Sequence, residues 1–455
     1  MIDPPIAPYE RRLAEALAHH EAQRWAEADK LYRLIIAQRP RWAPGLWNYG
    51  RMLHGFGHQQ KAALCRAAEL YSATLKADGD DCDLKAEAFN NLGTILLGWG
   101  HIAEAKGCFE RCLALRSGHP HARVNLGIAC RVAGELHEAS AHQNSVLLDN
   151  PDNPEAHFES AFIRLTMGDI SGGFEEYEWR WQCDQFLTTR LVTNRPRWEG
   201  EDLVGKRILL WHEQGLGDTL MFCRYARLVK YRGAEVWLQC PPELVRLMGS
   251  VPGIDRAFAA RADDDNDFDC HCPLLSLPRV LKTRHGAIPC EIPYVKNVAR
   301  IDTERPRMAK RIGIVWAGRP EHGGDRWRST KLEQWKLLFG VPGIEWYSLQ
   351  MGVVCEQLKN ERSITDLTDG ITDFADTAER LAGLDLLISV DTAVVHLAGA
   401  MGKPVWCLLP WSPDWRWMLE REDSPWYPTL RLFRQQAKGE WRPVFDQVKA
   451  NLVRL

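Results

Sequence analysis

The sequence predicts an all-α helical-repeat superhelix followed by an α/β portion of two Rossmann-like lobes. Three observations carry this. Small residues recur at a 34-residue spacing through the first third of the chain. Short apolar strands alternate with amphipathic helices from Arg207 onward. Residues 386–410, LLISVDTAVVHLAGAMGKPVWCLLP, read as strand, small-residue helix, Gly-Lys-Pro stop and second strand, the crossover unit of a parallel sheet.

The repeat comes first. Gln23, Gly57, Gly100, Gly134 and Gly168 stand 34, 43, 34 and 34 residues apart, and Ala28, Ala62, Ala105, Ala139 and Gly173 lie five residues after each. Asn91-Leu92-Gly93 recurs as Asn125-Leu126-Gly127, and Pro120 as Pro154. This period resembles the tetratricopeptide repeat, in which small residues let two antiparallel helices pack closely and units stack to bury a shared core. Residues 8–182 hold about four to five such units, and the longer second interval falls around Tyr71–Asp81. A free-standing array of this kind offers a concave groove for a peptide or protein; packing or dimerisation is the alternative use. Trp25, Trp42, Trp47 and Trp99 are expected to pack helices. The aromatic run Phe174 to Trp181 is expected to dock the array onto the α/β portion. Residues 183–205 lose periodicity and carry Pro196 and two glycines, so a linker is placed there.

Two α/β lobes come next, over 206–302 and 310–440. In the first, strand Arg207–Trp211 enters the turn Gln214-Gly215-Leu216-Gly217-Asp218, then a helix, then strand Glu235–Gln239. Gly215 and Gly217 fit a tight turn that admits a ligand close to backbone. In the second, after the linker 303–310, strand Arg311–Ala317 enters a long loop, 318–331, that contains Arg328 and Lys331. A helix from Leu332 and a strand ending at Leu349 come after it, with Gln350 just beyond as a weak candidate for nucleotide contact. The 386–410 crossover completes this lobe. Asp391, Thr392 and Ala393 sit where a strand's carboxyl end meets a helix start, a place suited to a diphosphate. His396 lies one turn further on. All these segments are at strand carboxyl ends, where open parallel sheets bind ligands, so one cleft between the lobes is expected.

Composition narrows the function classes. Lys plus Arg (57) nearly balances Asp plus Glu (60), so no field favours nucleic acid or an anionic membrane. No apolar run reaches the ~18 residues of a membrane span, and the start, MIDPPIAPYERR, lacks a signal-peptide core. Thirteen irregularly spaced cysteines argue against a disulfide framework and for a cytoplasmic location. Cys270-His271-Cys272 has no second ligand pair at zinc spacing and is assigned to an alternating strand. No metal and no cofactor are expected.

GLGD after the first strand, taken with SVDTAVVHLAGAMGKP near the end, resembles GT-B glycosyltransferases of the heptosyltransferase-like group. The fusion to repeats resembles bacterial repeat-bearing glycosyltransferases, some of which modify flagellin, and is similar in architecture to protein O-linked N-acetylglucosamine transferases. The resemblance spans repeats over 8–182 and a transferase over 205–440. It implies a GT-B fold, with an N-terminal acceptor lobe and a C-terminal donor-nucleotide lobe. It implies a nucleotide-sugar donor and a protein acceptor held by the repeat groove, with flagellin among the candidates. It implies Asp218 as general base. Donor binding falls to Gly215, Gly217, Arg328, Lys331, Gln350, Asp391, Thr392, Ala393 and His396. The long, Trp- and Arg-containing 318–331 loop and the lack of a lipid-facing amphipathic helix depart from the heptosyltransferases and argue against a lipopolysaccharide acceptor. An inverting, metal-independent single displacement is expected: helix dipole, backbone N–H and Arg/Lys neutralise the leaving diphosphate, and a carboxylate takes the acceptor's proton.

Alternatives stay open at this level. Asp218 is equally suited to capping a helix from Thr219, Asp391 to ordering its loop, and His396 to a satisfied core position. His212 and Glu213 are reserve bases. Trp411, Trp415 and Trp417 are expected to pack the C-terminal segment, with stacking on sugar or base as the other use. Alternatives to a protein acceptor are a glycan or lipid-linked acceptor, or a repeat scaffold with an inactive GT-B domain.

Overall fold

The computed structural model describes residues 8–56, 60–79, 81–184, 186, 188, 190–259, 267–296, 309–320 and 323–455. Gly57, Gln185, Leu187, Thr189, residues 303–308 of the expected linker, and Glu321 and His322 of the 318–331 loop lie outside them. The chain forms two compact units, Met1–Ser160 and Ala161–Leu455.

The first unit is helical. Helix pairs α1 (Pro8–Glu21) and α2 (Trp25–Gln38), α3 (Ala43–Phe56) and α4 (Lys61–Leu75), α5 (Cys82–Trp99) and α6 (Ile102–Leu115), and α7 (Pro120–Val132) and α8 (Leu136–Asp149) pack as hairpins, followed by α9 (Pro154–Thr166). The period in the sequence is set by helix ends. Gln23, Gly100 and Gly134 all take positive φ, at 57°, 81° and 84°, the left-handed conformation that closes a helix and for which glycine has no Cβ penalty. A second set of glycines sets the helix spacing. A Cβ on Gly50 would lie 2.9 Å from the Tyr71 ring, and one on Gly93 would lie 2.6 Å from Phe109. One on Gly127 would collide with Gln143. Each glycine thus seats a large residue of its hairpin partner. Ala28, Ala105 and Ala139 are fully buried, whereas Ala62 is exposed and takes no part in this packing. The long second interval is taken up by α5, at 18 residues, and the loop before it.

The second unit begins inside the last helical hairpin. Gly173 of α10 (Ile170–Tyr177) lies against Leu165 of α9, where an added Cβ would be 2.6 Å from Leu165 Cγ. The residues after Ala161 group with the α/β part because their side chains are built into it. The Phe174 ring packs edge-on against Phe222 and Trp415, and the Gln214 amide donates to the Tyr177 hydroxyl at 2.9 Å. The expected array boundary at 182 therefore moves to 160. Pro196 and Trp198 of the expected linker 183–205 are also part of the fold. Trp198 is buried, its backbone N–H donates to His271 O at 2.8 Å, and His271 N–H donates to Pro196 O.

Two parallel sheets make up the rest of this unit. In the N-terminal lobe the order is β3 (Arg256–Phe258), β2 (Glu235–Gln239), β1 (Arg207–Trp211), β4 (Cys270–Pro273). Cys270, His271 and Cys272 all lie on β4. The helix expected after GLGD starts at Leu216, not Thr219. It is broken by a 3-10 turn, Cys223–Tyr225, into α11 (Leu216–Phe222) and α12 (Ala226–Lys230). Short helices α13 (Val245–Met248) and α14 (Leu277–Val280) complete the lobe.

The C-terminal lobe has the order β10 (Leu430–Arg434), β9 (Val405–Leu409), β8 (Leu386–Val390), β5 (Lys310–Val315), β6 (Ile344–Ser348), β7 (Ile364–Asp366). β8 is buried at every residue, as a central parallel strand covered on both faces must be. The helices are α15 (Asp325–Arg328), inside the expected 318–331 loop, α16 (Leu332–Phe339), α17 (Phe374–Ala382), α18 (Ala393–Ala400) and α19 (Arg442–Leu452). Phe445 of α19 packs on Trp335 of α16, ring centroids 5.3 Å apart, so this lobe runs to Leu452 and not to 440.

In each lobe the chain adds strands on one side of its first strand and then crosses to the other. The switch points fall between β1 and β4, and between β5 and β8. A doubly wound sheet opens its ligand crevice at such points, beyond the strands' carboxyl ends.

Candidate functional site

The turn after β1 occupies the first switch point. Gly215 precedes α11, and its N–H donates to Asp218 Oδ2 at 2.9 Å. Asp218 is thus the third residue of α11, reaching back over its start, rather than a cap of a helix at Thr219. Its other oxygen, Oδ1, accepts from Arg416 Nη2. Gly217 has an expected ligand approach that the structure fills with protein. A Cβ there would lie 2.9 Å from His396 Cδ2 and 3.7 Å from Ala393 Cα. Only glycine lets α11 meet α18 this closely, and this contact brings the two switch points together.

The turn after β8 supplies the opposite wall. Thr392 is the cap residue of α18 but its side chain makes no capping bond, and Thr392 Oγ1 lies 3.2 Å from Ser389 Oγ. Asp391, Thr392, Ala393 and Val394 are all partly accessible, so unsatisfied N–H groups at this helix start can reach a ligand. Burial, reinforced by Asp414, pushes the Asp391 carboxyl up to about 6, against the pull of Arg328. His396 is buried, with Nδ1 3.0 Å from the Tyr427 hydroxyl and its ring stacked on Trp417. Burial, then the charges of Arg416, Arg224 and Arg328, hold its pKa well below the usual range. It is a neutral imidazole near neutral pH, able to orient groups but not to supply a cation.

Arg328 belongs to this constellation, since its charge bears on both Asp391 and His396. Its neighbours are tied together: Gly318 N–H donates to Ser329 Oγ at 2.8 Å, Ser329 Oγ donates to Asp325 Oδ1, and Arg328 Nε lies 3.5 Å from that same oxygen. A Cβ on Gly318 would come within 2.7 Å of Arg328 Nη2.

Two expected donor contacts are placed elsewhere. Lys331 is exposed, its backbone N–H bonds Gln334 Oε1 at the start of α16, and among the described residues no contact joins it to Asp391 or His396. Gln350 is buried and its carboxamide is fully used. Oε1 accepts from the Trp316 and Ala317 N–H groups, and Nε2 donates to the Ala317 and Met351 carbonyls. It fastens β5 to β6 and has no capacity left for a nucleotide.

The reserve bases are likewise committed. Glu213 is fully buried against Arg180 and also accepts from Leu275 N–H. Burial raises its pKa while Arg180 opposes that rise. His212 sits 3.3 Å from Gln239 O through Nδ1, with its pKa lowered by burial.

The segment after β9 brings more to the site than the packing or stacking expected of Trp411, Trp415 and Trp417. Trp415 and Trp417 are buried, and Trp411 is 41% exposed. Between them, Arg416 donates through Nη1 to Asp414 at 2.7 Å and through Nη2 to Asp218. Burial by itself lowers the Arg416 pKa; Asp414 and Asp218 outweigh it, and the net direction is up. Asp-x-Arg just past a strand's carboxyl end was the available signal. Arg224 is a second missed residue. Buried and stacked on Tyr294 and Tyr427, it donates to the Met221, Pro289 and Trp426 carbonyls and to the Tyr294 hydroxyl, tying one lobe to the other. Arg246 of α13 adds a third tie, to Asp373 at 2.6 and 2.7 Å and to Asp376.

Among the described residues one cluster has metal-ligand character: Cys130, Glu135 and Glu138 in the repeats. Lys106 Nζ already bonds Glu135 and lies 3.7 Å from Glu138, so that charge is compensated by protein.

Residues 353–419 match the model of glycosyltransferase family 9 (heptosyltransferase). That segment holds Asp391, Thr392, Ala393, His396 and Arg416, and excludes Asp218, Arg328 and Gln350. Protein FlbA of Caulobacter vibrioides is 26% identical over 420 residues, covering 85% of this chain and 69% of FlbA. Among solved structures, MamA (15% identity, TM-score 0.32, covering 39% of this chain and 95% of MamA) and the type IV pilus biogenesis factor PilW (21%, TM-score 0.34, covering 39% and 79%) are similar at a level that identifies neither ligand nor partner. Among the described residues no helix is long and apolar enough to cross a membrane. The chain therefore joins helical-hairpin repeats to a two-sheet α/β unit whose residues 353–419 are similar to glycosyltransferase family 9 (heptosyltransferase).

Proposed function

We propose that this chain moves a glycosyl group from a nucleotide-sugar to a hydroxyl of a protein acceptor captured by the repeats, by inverting displacement without a metal. The observation that carries the reading is the meeting of the two switch points. Gly217 and His396 touch, and Asp218 lies within reach of the Arg416 guanidinium. The start of α18, with Arg328 and Arg416, supplies positive potential for the leaving diphosphate. Asp218 is the carboxylate on the facing wall and takes the acceptor's proton. Asp391 and His396 orient this wall. A cytoplasmic setting suits thirteen free thiols. Flagellin is one acceptor of suitable type.

The test is donor binding and turnover. Nucleotide-sugars are screened by thermal shift, since a ligand selective for the folded state raises its apparent stability. Transfer by the selected donor is then assayed in excess chelator. Retained transfer supports the reading, and full dependence on added Mg²⁺ or Mn²⁺ overturns the metal-independent step. One observation favours the inactive-scaffold alternative: both oxygens of Asp218 are already hydrogen-bonded. Donor-dependent transfer by the wild-type chain eliminates it.

A further inference from the structure

Arg416 links the two walls in a way the reaction can use. Its guanidinium lies between two carboxylates, Asp414 of its own segment and Asp218 of the other lobe. Its side chain is 9% exposed, and among the described residues its buried Nε makes no hydrogen bond. Trp417, next to it in the chain, stacks on His396 of α18, and the Arg416 charge bears on Asp391 and His396, so one cation links the α18 wall to Asp218. The backbone that carries it is held. Met418 and Glu420 take φ of 52° and 49°, costly for residues with a Cβ. Arg434 secures them by donating to the carbonyls of Trp417, Met418 (2.9 Å) and Arg421 (2.8 Å). A fixed backbone leaves the long side chain as the movable part.

A carboxylate whose two oxygens serve Gly215 N–H and a guanidinium is poorly placed to accept a substrate proton. A diphosphate is the stronger competitor, since it offers more charge and matches the guanidinium fork. We propose that Arg416 is shared between Asp218 and the donor's diphosphate, so that donor binding draws the guanidinium off Asp218 and frees it for the acceptor's proton. This rests on the transferase function proposed above. In the step, the acceptor oxygen bonds the anomeric carbon as the carbon–oxygen bond to the diphosphate breaks. The electron pair leaves with the diphosphate, and the proton passes to Asp218. An acceptor is thereby activated only after the donor is seated.

The test is calorimetric titration of inorganic pyrophosphate and of UDP, GDP, CDP and ADP into the full chain. Wild type, Asp218→Asn, Arg416→Gln and the double variant are compared, with folding checked by circular dichroism. Sharing predicts that Asp218→Asn tightens diphosphate binding at least about threefold and that Arg416→Gln weakens it about tenfold or more. It also predicts that Asp218→Asn has no effect once Arg416 is gone. Equal effects of Asp218→Asn in both backgrounds, or no tightening in wild type, overturn the sharing while leaving the transferase reading intact. Absence of binding by any of these diphosphates to wild type overturns both. If Arg416→Gln does not fold, Arg416→Lys takes its place: its point charge lacks the fork, so weaker diphosphate binding and a smaller Asp218→Asn effect are expected, and wild-type values for both overturn the proposal.

Discussion

Arg180 and Glu213 form a fully buried ion pair, with Nε to Oε2 at 2.6 Å and Nη2 to Oε1 at 3.0 Å, joining the turn after α10 to the turn after β1. Ser276 Oγ, the Tyr177 carbonyl and Glu178 Oε1 accept the remaining guanidinium protons. Removing Arg180 leaves Glu213 an uncompensated buried charge, whereas removing Glu213 leaves Arg180 with Glu178 alone. Arg180→Met is expected to cost on the order of 3–5 kcal/mol and Glu213→Gln less, read by urea unfolding of the full chain. Folded Glu213→Gln protein retains turnover; a stable variant with no turnover would return Glu213 to the list of bases.

The same pair decides where the repeats can be cut. A chain lacking residues 1–182 loses Arg180 and strands Glu213, so it is expected to aggregate. A chain beginning at Pro154 keeps α9, α10 and the pair. It is expected to stay folded and to bind diphosphates while losing transfer to a protein acceptor. Transfer to that acceptor at the full-length rate would dissociate the repeats from acceptor capture.

Gly217→Ala pushes a methyl group to within 2.9 Å of His396. Overpacking of this kind costs about 1–3 kcal/mol. Because the displaced atoms join the two walls, kcat is expected to fall further than the melting temperature suggests. Gly93→Ala, which meets Phe109 instead, lowers stability without changing diphosphate affinity. Calorimetry and steady-state kinetics on the two variants separate these outcomes.

Asp391 gives the site a pH signature. Its folded pKa, about 6, stands above the usual 3.8. The folded state therefore prefers the protonated carboxyl, and its ionisation destabilises the protein progressively as pH rises from 3.8 to 6. Above that window the penalty is complete, on the order of 3 kcal/mol. Asp391→Asn is expected to raise stability at about pH 8 and to change it little at about pH 4. Ionised Asp391 also repels an anion at α18. The ratio of wild-type to variant diphosphate affinity should fall as pH rises through about 6, a comparison in which the ligand's own titration cancels. A flat ratio would remove Asp391 from the diphosphate wall.

Gln350 makes the opposite prediction. Gln350→Ala deletes four buried hydrogen bonds to backbone and is expected to cost about 2–4 kcal/mol. Diphosphate affinity of the folded fraction should stay within about twofold, since no capacity of the carboxamide faces a ligand. A larger loss would restore it as a donor contact.

The legible parts of the fold are those with a local cause. Helix ends that need a left-handed residue recur as glycine, so the repeat shows through at Gly100 and Gly134. Strands buried on both faces must be apolar, so Leu386–Val390 stands out unaided. The parts that escaped depend on partners distant in the chain. Asp218 and Arg416 are far apart in sequence, and nothing local to either marks the other. Gly217 is legible as a close approach, but not the identity of the group that approaches. The break at Cys223–Tyr225 hides in a continuous helical period, because Arg224 turns inward to serve carbonyls of a distant segment. The unit boundary at Ser160 is concealed for a similar reason: the last hairpin keeps the repeat's spacing while its side chains belong to the α/β core.

The glycine locks within the repeats have a consequence for recombination. Gly50 receives Tyr71, Gly93 receives Phe109 and Gly127 receives Gln143, three different keys in three equivalent keyholes. Exchanging a single helix between hairpins mismatches key and keyhole, whereas exchanging an intact hairpin carries both. Crossover joints in homologous chimeras of this chain therefore belong between hairpins, and the hairpin, not the helix, is the unit in which the array can be lengthened, shortened or regrafted.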